Sequence, residues 1–243
     1  MFNNIWHAFF FDPVYNSLVF FIDHLPNGDV GLAIIATILL VKTILLPISI
    51  KAAKTQKIMR EIEPQLKAIK EKYKDDRQGQ AQAMMGLYKE AGMNPLASII
   101  LIFIQIPFII ALYYSIYSGN GIALPNINLD LLYPFVQEPI MITMNFLHTI
   151  DITGKSLLLA LGAGITQYIF VSLTMPKLAA KEPDAKPDFK DEFMRNMHVQ
   201  MRYVMPVIIT FIAYTISAAV ALYFLVSNLV NIGQEFFIRK HRN

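Results

Sequence analysis

Gly31-Leu-Ala-Ile-Ile-Ala-Thr-Ile-Leu-Leu-Val-Lys-Thr-Ile-Leu-Leu-Pro47 is an apolar run interrupted by one charge, Lys42. Continued to Ile50 it covers 20 residues, and a helix needs about 20 to cross the hydrocarbon core of a bilayer. The run reads as a membrane-spanning helix. A cation near its middle is costly in lipid. Two readings follow from position alone. Lys42 faces a protein-lined polar cavity with a functional role, or its stem snorkels toward an interface, Ile50 being about 12 Å of helix rise away.

The rest of the chain fits the same solvent. Of 243 residues, 55% are hydrophobic and 16% charged, with a mean hydropathy of +0.44. Soluble domains carry about a quarter charged residues. Here the charges sit in blocks separated by long uncharged stretches, the pattern of a polytopic membrane protein. The net charge of +3 is explained by that distribution and calls for no specific nucleic acid. The absence of cysteine excludes disulfides, lipid attachment through cysteine and thiolate metal sites.

Residues 1–27 contain no Lys or Arg and no cleavable-signal pattern, since Asp12, Pro13 and Asp23 interrupt their apolar part. With Trp6, His7, Tyr15 and several Phe they read as an amphipathic, interfacial, extracytoplasmic segment; a short tilted span is the alternative. Residues 28–50 form the first span. Residues 51–90 hold ten Lys/Arg and six Asp/Glu and read as a helical hairpin outside the membrane. Ile58, Ile62, Leu66, Ile69 and Tyr73 recur at helical spacing on one arm, and Met84, Leu87 and Tyr88 on the other. Asp75 to Gly79 supplies the turn. Residues 91–238 hold the second to fifth spans: Leu96 to Tyr117, Ser156 to Met175, Tyr203 to Ser217 and Ala219 to Ile238. Residues 122–155 between them read as loop or short helix. Gly162 and Gly164 would let the third span approach a neighbour closely. The last two spans are separated by almost nothing polar, so a single kinked, re-entrant or very long segment is the rival to a tight turn near Ser217. Residues 239–243 are a basic tail.

Orientation follows from the basic residues. The blocks 51–90, 176–202 and 239–243 hold 19 of the 21 Lys/Arg, whereas 1–30 and 118–155 together hold only Lys155. Positive charge marks the cytoplasmic side, which places the hairpin, the 176–202 loop and the C-terminus inside and the N-terminus outside. An N-out, C-in chain needs an odd number of spans, and five satisfies every segment. The expected fold is all-α, with five transmembrane helices and a cytoplasmic helical hairpin.

Catalytic signatures are missing: no HExxH, Walker A, dinucleotide glycine fingerprint or GxSxG occurs. His7, His24, His148, His198 and His241 show no metal-ligand spacing. No enzyme activity and no cofactor are expected. The residues that stand out are polar ones inside apolar spans: Lys42, Gln105, Gln167 and Asn228, each in a different predicted span. Grouped, they would line a hydrophilic cavity that eases a polar peptide segment into the membrane, with Lys42 favouring acidic groups. Taken singly, the amides could equally hydrogen-bond between helices for about 1 kcal/mol or less each. The basic hairpin likewise has two readings, one in which its charges only set orientation and one in which its face meets a ribosome, a targeting factor or a nascent chain.

Several short motifs in combination resemble the YidC membrane insertase family of the Oxa/Alb superfamily. The first is Gly31 to Ile38 followed by a basic residue and Leu45-Leu46-Pro47. Gln56 through Tyr73, with Met59, Pro64 and Leu66, resembles that family's cytoplasmic hairpin. Gly92-Met-Asn-Pro95, Gln105-Ile-Pro107-Phe108 and Ala111-Leu-Tyr113 are similar to its second span, and Gly164-Ile165-Thr166 to its third. Met205-Pro206, Ala221-Leu-Tyr223, Asn228 and Gln234 resemble its closing pair. The likeness covers residues 28–240. Three positions depart from the pattern. Lys42 stands where the family usually has arginine, which keeps charge but loses the planar donor fork. Ser217-Ala218-Ala219-Val220 replaces a Pro-Ala-Gly-Leu stretch, and Phe224 replaces a tryptophan.

The resemblance implies a multi-pass protein of the bacterial inner (plasma) membrane that inserts and folds small membrane proteins, in a short form without a large extracytoplasmic domain. It implies nascent membrane proteins as partners, the ribosome and the Sec translocon as further ones, and a substrate groove open to cytoplasm and lipid. Lys42, Gln105, Gln167, Asn228 and Phe224 are the groove residues expected here. Two other functions compete. A small-solute transporter or channel would need acidic intramembrane residues for ion coupling, which the chain lacks. A structural membrane scaffold would leave Lys42 replaceable.

Overall fold

A computed structural model describes residues 2–92, 96–117, 121–175 and 196–240. Part of the predicted 176–202 loop (176–195), residues 93–95 of the Gly92–Pro95 motif, residues 118–120 and the end of the basic tail lie outside the described residues. The chain forms two compact units, one made of residues 1–43 and 107–243 and the other of 44–106.

Eight helices carry the described fold. They are α1 (Asn3–His24), α2 (Val30–Glu61), α3 (Glu63–Lys72), α4 (Arg77–Glu90), α5 (Leu96–Tyr117), α6 (Leu157–Thr174), α7 (Asn196–Ile216) and α8 (Ala218–Lys240). Five are long and apolar enough to cross a bilayer: α1, the Val30–Met59 part of α2, α6, α7 and α8. The 22-residue α5 carries no charged residue. Four of the spans expected from the sequence are among these five, and α1 is a further candidate where the sequence reads as an interfacial segment with a short span as the alternative.

The first unit is built around α1. Tyr15, Leu18, Val19 and Ile22 are fully buried at helical spacing. They share one core with Ala33, Ile34 and Ile38 of α2, Ala111, Leu112 and Ile116 of α5, Ala160 and Ala163 of α6, and Ala221, Leu222 and Val226 of α8. Small residues set the approach of the last three helices. A side chain on Gly164 of α6 would strike Thr210 Oγ1 of α7, and one on Gly162 would press on Leu225 of α8. Without lipid-like surroundings the outer surface would be untenable: Phe103, Leu158, Ile165, Val207, Phe211, Phe236 and Phe237 are all exposed. An apolar belt of that extent is the surface of a membrane protein.

Ser217 breaks the long C-terminal apolar stretch in two. Its backbone is extended (φ −174°, ψ 166°), and its hydroxyl accepts from Val220 N at 3.3 Å, a side-chain cap in the place of a Pro-Gly turn. Ala218 N donates to Gly154 O at 2.7 Å and Ala219 N to Ile152 O at 2.9 Å. The single-segment rival is thereby excluded.

The 121–155 stretch is not only loop. Asn145–Phe146 and Ile150–Asp151 form a small antiparallel ladder, an exception to the all-α expectation. Its turn uses Leu147 (φ 50°) and His148 (φ 60°), conformations unfavourable for such side chains. Tertiary bonds hold them. Leu147 N donates to Asp29 Oδ2 at 2.8 Å, and His148 Nε2 lies 3.2 Å from Asn27 Nδ2. Asp29, 3% exposed, also accepts from Leu32 N at 3.0 Å, capping α2. Farther along, Asn16 of α1 donates to Leu131 O at 2.8 Å and accepts from Tyr133 N at 2.6 Å.

The second unit contains the hairpin. Ile62, Leu66 and Leu87 are buried together, with Ile58, Met59, Ile69, Met84 and Tyr88 packed around them. The helical spacing read from the sequence is thus the contact face. Asp76 Oδ1 caps α4 through Gly79 N at 2.9 Å. The first arm is divided at Ile62 (φ −91°, ψ 0°), just ahead of Pro64, because proline at the start of a helix supplies no N–H. Lys57–Glu61 and Lys67–Glu63 are exposed i,i+4 pairs, worth only a few tenths of a kcal/mol each, about 0.3–0.5.

Candidate functional site

Lys42 lies in the first unit, half-buried on α2. Its ammonium donates to Asn231 Oδ1 of α8 at 3.1 Å. Among the described residues no carboxylate pairs with it. The ammonium is held by a neutral acceptor, so among the described residues no counter-charge offsets its attraction for a negative group.

Asn231 belongs to a row along α8. Phe224, Asn228, Asn231 and Glu235 recur at intervals of three and four residues and share one helix face. Phe224 is half-buried and meets Tyr223 edge to face at 5.6 Å. Asn228 is 4% exposed. Its Nδ2 donates to Ala163 O at 3.3 Å and to Thr166 Oγ1 at 3.4 Å, both on α6. Glu235, near the end of the row, accepts from Arg239 Nε at 3.0 Å.

The residues singled out from sequence thus meet different fates. Lys42 reaches α8, and Asn228 ties α8 to α6 one residue before Gln167. Gln167 itself is half-buried on α6. Gln105 is half-buried on α5 and belongs to the second unit. Asn231 was missed. Its signal was available: it lies seven residues beyond Phe224 and three beyond Asn228, on the face that already carried two candidates. No group of three or more His, Asp or Glu suited to a metal ion occurs among the described residues.

Comparison with known proteins gives this arrangement its context. A family model described as 60Kd inner membrane protein matches residues 21–243. Over 215 residues the chain is 33% identical to the membrane protein insertase YidC of Clostridium tetani, covering 88% of this chain and 84% of that one.

The chain belongs to the YidC family of membrane protein insertases.

Similarity extends to a second insertase, YidC 2, of Bacillus anthracis, 29% identical over 242 residues, covering 97% of this chain and 81% of that one. The YidC of Pelobacter propionicus is 28% identical over 236 residues, 97% of this chain but 39% of the relative. The YidC family comprises insertases and chaperones, not enzymes with a catalytic centre, and membership makes this a multi-pass inner-membrane protein. A lysine presents a single rotatable ammonium rather than a fork, and one amide oxygen is enough to hold it.

Proposed function

We propose that this YidC-family protein moves short polar segments and hydrophobic helices of nascent membrane proteins into the bilayer through a hydrophilic groove centred on Lys42. No bond is made or broken. The groove lowers the desolvation penalty of a polar flank by offering hydrogen bonds and one positive charge within the membrane. The observation that carries this reading is the Lys42–Asn231 contact, in which the only partner of an intramembrane ammonium among the described residues is a neutral amide. A lysine needed only for structure would gain more from a carboxylate.

In this reading Lys42 attracts acidic groups of the client. Asn231 and Gln167 hydrate or hydrogen-bond the passing chain, Asn228 ties the groove wall formed by α6 and α8, and Phe224 contributes its apolar floor. Residues 1–27 lie at the extracytoplasmic interface, 28–50 form the first span, 51–90 the cytoplasmic hairpin, 91–238 the second to fifth spans and 239–243 the cytoplasmic tail. The 10, 6 and 3 basic residues of the three charged blocks support that orientation. The hairpin receives the client from the ribosome, and the Sec translocon is a further partner; the hairpin's ten Lys/Arg support an electrostatic docking role.

Reconstitution of the purified protein into liposomes, with a small client bearing an acidic flank, tests the function through protease protection of the flank. Protection should require the protein. Equal protection in empty liposomes would overturn the reading. The cysteine-free chain also permits single-cysteine labelling: Lys70→Cys should react from the cytoplasmic side and Gly121→Cys from the other.

A further inference from the structure

Gln200–Val204 forms a π turn within α7, a distortion that shifts the direction of the side chains around it. The less exposed positions of α7 include His198, Arg202, Pro206, Thr210 and Ala213, a row at three- and four-residue spacing. Pro206 and Thr210 of this row meet Gly164 of α6, so Arg202 points inward. Its Nε is sealed from solvent and has no hydrogen-bond partner. Among the described residues no carboxylate pairs with it.

The register of α6 against α7 shows what Arg202 approaches. Gly164 lies beside Pro206 and Thr210, and the Tyr168 ring lies 5.9 Å from that of Tyr203. One turn further toward the end of α6 comes Ser172, whose hydroxyl is also buried without a partner. Arg239 of α8 reaches the same end of α6, donating to Leu173 O, while its Nε pairs with Glu235. Among the described residues, the helix register thus sets Arg202 toward the end of α6 that Arg239 reaches, and the carboxylate of Glu235 pairs with Arg239.

Arg202 is half-buried with its guanidinium carbon 5.9 Å from the centre of the Tyr203 ring, and the planar fork of a guanidinium matches a phosphate. Three candidate spans begin or end at this level, which is where headgroups lie. Tyrosine pairs are typical of that depth. Val199, Tyr203, Val204 and Val207 expose apolar surface along α7 next to the cluster, a track for acyl chains that free phosphate would not use. We propose that Arg202, with Ser172 and Arg239, binds the phosphate of an anionic phospholipid whose chains run along α7.

The test uses the full-length protein in nanodiscs of phosphatidylcholine with and without phosphatidylglycerol, reading retained lipid by native mass spectrometry. Phosphatidylglycerol should be retained preferentially, and Arg202→Gln should weaken retention about tenfold, the loss of one charge-assisted contact. Lys155→Gln, a change to the lysine beside Tyr214, should leave it unaltered. Equal retention by wild type and Arg202→Gln would overturn the site, and displacement by millimolar inorganic phosphate would overturn a lipid as its ligand. A measurement on the unmodified protein guards against misfolding of the variant. Hydrogen exchange across Gln200–Val204 should slow when phosphatidylglycerol is added, and unchanged exchange would count against the proposal.

Discussion

Lys42 and Asn231, 189 residues apart in sequence, meet at 3.1 Å between α2 and α8. The pair joins the first apolar run of the chain to its last helix through a donor that is charged and an acceptor that is not. A carboxylate at position 231 would cancel the ammonium, and an apolar residue would release it.

Replacing Lys42 tests the charge directly. Lys42→Ala should lower insertion of a client with an acidic flank by roughly tenfold, a loss of the order expected for one partly screened charge pair. Lys42→Arg should retain insertion. Protease protection in liposomes reads both. If the alanine variant acts equally on clients with and without acidic flanks, electrostatic attraction plays no part.

Substitutions at Asn231 separate charge from positioning. Asn231→Asp keeps the geometry but creates an internal ion pair, so insertion of acidic-flanked clients should fall while neutral clients are inserted as before. Asn231→Gln should behave close to wild type. The comparison of the two client classes is decisive, since general misfolding would reduce both.

Close approach of α6 and α7 depends on Gly164. Gly164→Val would drive a side chain into Thr210 Oγ1 and should destabilise the protein by about 1–3 kcal/mol, the usual penalty for overpacking. Thermal unfolding in detergent measures this. Gly233→Ala, at a position with nothing within 4 Å of the added carbon, should leave the midpoint nearly unchanged.

Asp29 joins two elements with one buried carboxylate. Asp29→Ala removes the α2 cap at Leu32 N and the acceptor of Leu147 N. It should cost about 2 kcal/mol or more, combining a lost cap with a buried N–H left unpaired. Hydrogen exchange should rise at residues 145–151 as well as at the start of α2; a rise confined to α2 would show that the turn is held by other contacts.

How much of this was legible in the sequence depends on the range of the interactions. Helical spacing of Ile58, Ile62, Leu66 and Leu87 gave the hairpin core, because neighbours on a helix are fixed by local geometry. The break at Ser217 was also anticipated, although its cause was not. Backbone donors at Ala218 and Ala219 are taken up by Ile152 and Gly154, which no local pattern reveals. The Asn145–Asp151 ladder escaped notice because its turn uses Leu147 and His148 instead of the Asn-Gly type expected there, and only distant Asp29 and Asn27 make that conformation tolerable. In the candidate site, a lysine in an apolar run is conspicuous by itself. Its partner Asn231 was hidden among the polar residues that close α8.

The 143–154 stretch holds the starts of two helices at once: Thr143 bonds Gly28 and Val30, Leu147 bonds Asp29, and Ile152 with Gly154 receives the start of α8. During synthesis α2 leaves the ribosome long before that stretch exists, and α8 comes after it. The insertase must therefore wait for its own final helix before the first is locked in place, so a stalled or truncated chain leaves an unfinished machine whose lysine has no companion.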